Sequence, residues 1–151
     1  MTILARQLTL DLYKCKSSAL LDEAIIKREV ENAIGSMGYR LVNSAVNKIE
    51  DGHTAFIFVC GEGHIVLHVY AELAYVAGDI FLMRENAEPE RIFKDIRNIF
   101  KPEKTKTTFL KRGDFGRERE VKPKIKTRVA PFRQIHNTGA KVIRILARRK
   151  R

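Results

Sequence analysis

Cysteine is scarce in this chain: Cys15 and Cys60 are the only two among 151 residues. Neither belongs to a Cys-x-x-Cys pair or sits at a metal-ligand spacing from histidine, which excludes a disulfide framework and a structural zinc site. Both are expected to be reduced, half-buried core thiols. Long apolar runs are also missing. Arg6 and Asp11 interrupt the N-terminal segment before a signal-peptide core can develop, and no later stretch nears the ~20 apolar residues of a membrane span. A cytoplasmic protein is expected. Acidic residues are nearly absent from one end: residues 116–151 hold thirteen Lys and Arg but two Glu, whereas residues 1–115 hold sixteen of each sign. The net charge of +11 is therefore a property of the tail, and a neutral domain carries a basic appendage.

What is present is the patterning of one globular core. Leu8, Leu10 and Leu12 alternate with Thr9, Asp11 and Tyr13 at the period of a half-buried strand. Ile26, Val30, Ala33, Ile34 and Met37 repeat at helical spacing, which predicts a helix from about Leu20 to Met37 stopped by Gly35 and Gly38. Strands are expected at Leu41–Ile49 and Thr54–Cys60, paired through the Asp51-Gly52 turn. A second turn at Gly61-Glu62-Gly63, needing positive φ, leads to His64–Tyr70, and Gly78–Met83 reads as a further buried strand. Pro89 suits a helix start, Ile92, Phe93, Ile96, Ile99 and Phe100 form its apolar stripe, and Pro102 ends it. Thr105–Lys111 suits a terminal strand. Beyond Phe115, lysines alternate with apolar residues from Val121 to Lys126, but Pro123 confines that stretch to a linker or an edge-lying arm.

This order, with hairpins instead of repeated βαβ units, predicts an α+β two-layer sandwich: a mainly antiparallel sheet with two helices on one face. Residues 1–114 form the expected domain and residues 115–151 a basic C-terminal extension.

The run Glu62-Gly63-His64-Ile65-Val66-Leu67-His68-Val69-Tyr70-Ala71-Glu72, followed by Tyr75 and by Asp79-Ile80-Phe81-Leu82-Met83, resembles the signature of the short prokaryotic S-adenosylmethionine decarboxylases of polyamine biosynthesis. In that family, Glu-Ser-His is followed by a second histidine, a Thr-Trp-Pro-Glu stretch and an Asp-Ile-Phe strand ending at cysteine. Leu10-Asp11-Leu12-Tyr13-Lys14-Cys15, the helix exit at Lys101-Pro102 and Leu110-Lys111-Arg112-Gly113 are similar to the family's flanks. The resemblance covers about residues 5–114.

The resemblance implies a proenzyme whose serine attacks the preceding glutamate's carbonyl and becomes a pyruvoyl group, an electron sink for decarboxylation. Gly63 stands at the serine's place and has no Oγ, so the pyruvoyl group is expected to be absent. Met83 stands at the place of the cysteine that supports decarboxylation, and a thioether has no S–H proton to give. His68, implicated in processing, is kept, while Ala71 and Leu73 also depart from the pattern. An unprocessed, non-catalytic homologue with a ligand-binding or regulatory role is expected, as a homodimer or as a heterodimer with an active paralogue. The alternative is an active pyruvoyl-type decarboxylase of S-adenosylmethionine or another amino acid, working by a different route. Cys60, three residues upstream of Gly63, would attack a different peptide bond.

Glu62, His64, Tyr70 and Glu72 are the ligand-binding candidates, with S-adenosylmethionine or a related small molecule as ligand. By strand parity Glu62, His64, His68 and Glu72 share one face, but their spacing matches no compact metal motif, and no metal is expected. Tyr70, Tyr75 and Phe81 either line an adenine pocket, as the resemblance suggests, or fill the core. Core packing is assigned to Phe81, with Tyr70 the more open. In the tail, Val142, Ile145 and Leu146 share a helical face surrounded by Lys141, Arg144, Arg148, Arg149, Lys150 and Arg151. That pattern suits nucleic acid, an anionic membrane surface or an acidic protein, and equally a solvated arm. A nucleic-acid-associated protein acting through this tail is the third functional alternative.

Overall fold

The structure is a computed structural model that describes residues 5–16, 18–113 and 123–129. Among these residues seven antiparallel strands make one sheet: β1 (Ala5–Cys15), β2 (Leu41–Glu50), β3 (His53–Cys60), β4 (Gly63–Tyr70), β5 (Tyr75–Leu82), β6 (Pro102–Arg112) and β7 (Lys124–Val129). Their spatial order is β2-β3-β4-β5-β1-β6-β7. Two helices, α1 (Glu23–Ser36) and α2 (Pro89–Phe100), pack on each other and on the sheet. The expected α+β sandwich is the observed one.

Helix α1 begins two residues after a short 3-10 turn at Ser18–Leu21, because Asp22 breaks the helical run and caps it. Its carboxylate accepts from the Ile25 amide at 3.2 Å, satisfying one of the otherwise unpaired first-turn donors. Pro89 opens α2, and Lys101 closes it in a left-handed conformation. Leu8, Leu10 and Leu12 of β1, Phe56 and Phe58 of β3, and Ile65 and Leu67 of β4 bury against Ile26, Val30 and Ile34 of α1 and Ile92, Ile96 and Phe100 of α2. Burial of each such side chain contributes about 1.5–3 kcal/mol.

The strand that begins the sequence run at Gly78 in fact begins at Tyr75, since Tyr75–Val76–Ala77 continue the β4 pairing down to Tyr70. Pro123 lies immediately before β7, which pairs along β6 from Lys104↔Val129 to Phe109↔Lys124. β7 is an edge strand, where proline costs no ladder hydrogen bond. Both cysteines are free and buried instead of half-buried. Among the described residues no helix is long and apolar enough to cross a membrane.

Candidate functional site

Because facing residues of an antiparallel pair share a face, the ladders fix which side chains lie opposite the helices. The register joins His53↔Tyr70↔Tyr75 and Ala55↔His68↔Ala77↔Asp11 across β3, β4, β5 and β1. Both helices pack on the other face, so this row of side chains is half-buried only by its own neighbours. His53 Nε2 and His68 Nδ1 are 2.9 Å apart and share one hydrogen. The His53 ring stacks on Tyr70 at 4.1 Å, Tyr70 on Tyr75 at 5.8 Å, and Tyr75 on Tyr13 at 5.3 Å. Tyr75 donates its hydroxyl to the Asp11 carboxylate. Burial first, and this bond second, hold the Tyr75 phenol well above the ordinary tyrosine range. The outcome is a lane of aromatic faces ending at a carboxylate, a surface that suits a planar or cationic ligand.

At the other end of the face, His64 stacks on Phe81 at 5.2 Å and the Arg112 guanidinium lies 5.1 Å over the Phe81 ring. Phe81 is thus not a core residue. Odd positions of β5 point away from the helices, and Ile80 and Leu82 take the core places. Arg112 also donates to Gln7 at 3.1 Å, and Gln7 donates to Asp79 at 2.9 Å.

The four ligand candidates read from the sequence do not converge. Glu62 lies in the turn before β4 and Glu72 in the turn after it, separated by an eight-residue strand, roughly 25 Å. Glu62 instead pairs with Arg84 at 3.0 Å. His64 and His68 do share the open face, but Glu62 and Glu72 do not join them, and no group of three potential metal ligands occurs among the described residues. Tyr70 is in the lane between His53 and Tyr75; the sequence does not single out His53 as a site residue, nor Tyr13 and Asp11, which join Tyr75. The signal that finds them is register: the tight turn at Gly61-Glu62, which pairs Cys60 with Gly63, sets His53 opposite Tyr70, and alternation does the rest. Lys141, Arg144, Arg148, Arg149, Lys150 and Arg151 lie outside the described residues.

Gly63, the residue that the sequence resemblance sets at the place of the processing serine, begins β4 opposite Cys60 and Leu82. A Cβ built there would stand 1.9 Å from the Phe81 carbonyl oxygen and 2.9 Å from its carbon. The Glu62 carbonyl accepts from the Met83 amide, so the Glu62–Gly63 peptide is tied between the strands. Met83 is 59% exposed. Cys60 is buried in the core, with its thiol on the helix side of the sheet. Position 63 thus has no hydroxyl from which a pyruvoyl group could be derived, and its backbone as folded leaves no room for a side chain.

The family model described as S-adenosylmethionine decarboxylase matches residues 6–113. An S-adenosylmethionine decarboxylase proenzyme of Methanococcus maripaludis is 34% identical over 110 residues, covering 73% of this chain and 90% of that protein. A proenzyme of the same description from Thermotoga petrophila is 24% identical, covering 76% and 88%. The crystal structure of the adenosylmethionine decarboxylase from Aquifex aeolicus superposes with a TM-score of 0.66 at 16% identity, over 81% of this chain and 100% of that one. The sheet order, the two-helix layer and a match spanning residues 6–113 have a single source: the chain belongs to the S-adenosylmethionine decarboxylase family.

Proposed function

We propose that this chain is an unprocessed, non-catalytic member of its family that binds S-adenosylmethionine or a related molecule and acts as a regulatory subunit in the cytoplasm. The observation that carries the reading is Gly63, which lacks a nucleophile and is closed to a side chain by the Phe81 carbonyl. Met83 supports it, since a thioether does not replace a proton-donating thiol. On this reading the chain carries no pyruvoyl group.

The aromatic lane remains suited to such a ligand. Tyr13, Tyr70 and Tyr75 offer ring faces to an adenine or a sulfonium, and Asp11 adds a negative charge. The same face carries Ile57 and Val59, exposed at 38% and 39%. This apolar character favours covering by a second sheet, from a second copy of the chain or an active paralogue. Residues 1–114 serve as the ligand-binding domain, and residues 115–151 as an extension whose Lys141, Arg144, Arg148, Arg149, Lys150 and Arg151 meet a polyanion.

The relatives' description as proenzymes favours the competing reading, an active decarboxylase. Release of labelled carbon dioxide from S-adenosylmethionine separates the two. The proposed function gives none above background, with or without a carbonyl reductant. Release abolished by the reductant establishes the active reading. Binding is tested separately by thermal shift, where ligand at a hundredfold excess over its Kd stabilises by about 2.7 kcal/mol.

A further inference from the structure

β7 lies beyond the residues that match the family, and it builds a cavity of about 230 Å³ on the helix-covered side of the sheet. Register explains its lining. Lys126 faces Thr107 and Arg128 faces Thr105, while Thr107 and Thr105 face Leu10 and Leu12, whose side chains are in the core. Alternation therefore turns Lys126 and Arg128 towards α2 and leaves Ile125, Thr127 and Val129 on the opposite face. On α2, Glu90, Lys94 and Arg97 fall at i, i+4 and i+7, one helical stripe, and that stripe completes the wall.

Four cations thus meet one carboxylate around a cavity floored by Leu8 and Phe93. None of the four makes an ion pair among the described residues. Thr105 and Thr107, the two buried polar side chains of the described residues, also line it. Lysines on an edge strand commonly do no more than block strand addition. Here, however, the charges of β7 converge with those of α2 over an apolar floor. Like charges held together around one cavity repel one another unless an anion joins them. Residues 130–151 bring no side-chain carboxylate to it, since they contain seven Lys and Arg and no Asp or Glu.

We infer that this cavity binds a small phosphorylated organic molecule. The dianion of a phosphate monoester matches the excess of three positive charges, and arginine forks and threonine hydroxyls suit its oxygens. Phe93 and Leu8 take the organic body. The volume lies below the ~300–1,000 Å³ of sites for drug-sized ligands, which limits that body to about one ring. The site is separate from the aromatic lane, being on the other face of the sheet, so it does not depend on the function proposed above.

Calorimetric titration of the full chain with phenyl phosphate and with inorganic phosphate, at low salt, tests the inference. One phenyl phosphate per chain is expected, bound more tightly than inorganic phosphate. Lys126→Glu with Arg128→Glu, both exposed positions, should weaken it at least tenfold. Arg97→Gln, placed on α2, provides an independent variant should β7 detach. A full-length control with Arg148, Arg149, Lys150 and Arg151 changed to Gln keeps the binding. The inference is overturned if neither phosphate binds, if phenyl phosphate is no tighter than phosphate, or if the control loses binding while the cavity variants keep it.

Discussion

The carbonyl oxygen of Phe81 occupies the space that a side chain on Gly63 would need, 1.9 Å from the position of its Cβ. The obstacle is backbone of the adjacent strand, held by the β4–β5 ladder, so it does not swing aside as a side-chain tip would. Gly63 therefore lacks both a hydroxyl and the space for a side chain on this backbone.

Restoring serine alone is predicted not to restore self-cleavage. Gly63→Ser and Gly63→Ala should each destabilise the fold by about 1–3 kcal/mol, the usual cost of overpacking. Urea denaturation at unchanged m-value measures the loss. A Gly63→Ser protein as stable as the parent, or one that cleaves itself, contradicts the closed geometry.

The Tyr75–Asp11 pair predicts a pH response. Burial and the neighbouring carboxylate disfavour the phenolate, and burial does the same for Tyr39. The folded protein then holds these protons above the ordinary ~10 at which unfolded tyrosine loses them. Their contribution to stability is complete below that pH and declines as pH rises past it. In ultraviolet titration, part of the phenolate absorbance should be missing near pH ~10 in the folded protein and appear on unfolding. Asp11→Asn should move Tyr75 downward by removing the adjacent negative charge.

Thiol chemistry should be silent in the folded state. Burial pushes the Cys15 thiol up to about 11, and Cys60 is only 4% exposed. A thiolate-seeking reagent at neutral pH should label neither in native protein and both in denaturant. Rapid native labelling of Cys60 would revive it as a nucleophile candidate.

Phe58 is fully buried between the sheet and the helices. Phe58→Ala is predicted to cost about 3–5 kcal/mol. In contrast, Ile125→Thr on the exposed edge of β7 should shift stability by no more than ~0.5 kcal/mol. Equal effects at the two positions would contradict the placement of the core.

Periodicity alone located both helices and most strands, because Leu8, Leu10 and Leu12 or Ile92, Ile96 and Phe100 repeat at the period of their element. What it did not convey was pairing between distant strands. His53 meets Tyr70 because a hairpin register is set by the turn, and Asp11 meets Tyr75 through a ladder between segments 64 residues apart. Phe81 is expected in the core, but its parity with Asp79 puts it on the open face. β7 shows the reverse case. Pro123 correctly restricted it to an edge, but only the register of β7 on β6 reveals that Lys126 and Arg128 join Lys94 and Arg97.

The central claim, that the chain stays whole at Glu62–Gly63, is tested most directly by intact-mass spectrometry of protein purified from cells. The account predicts a single species that runs uncleaved through residues 62 and 63 and does not react with a ketone-specific hydrazide. Two fragments meeting at that bond, the second blocked by a hydrazide-reactive pyruvoyl group, would contradict it.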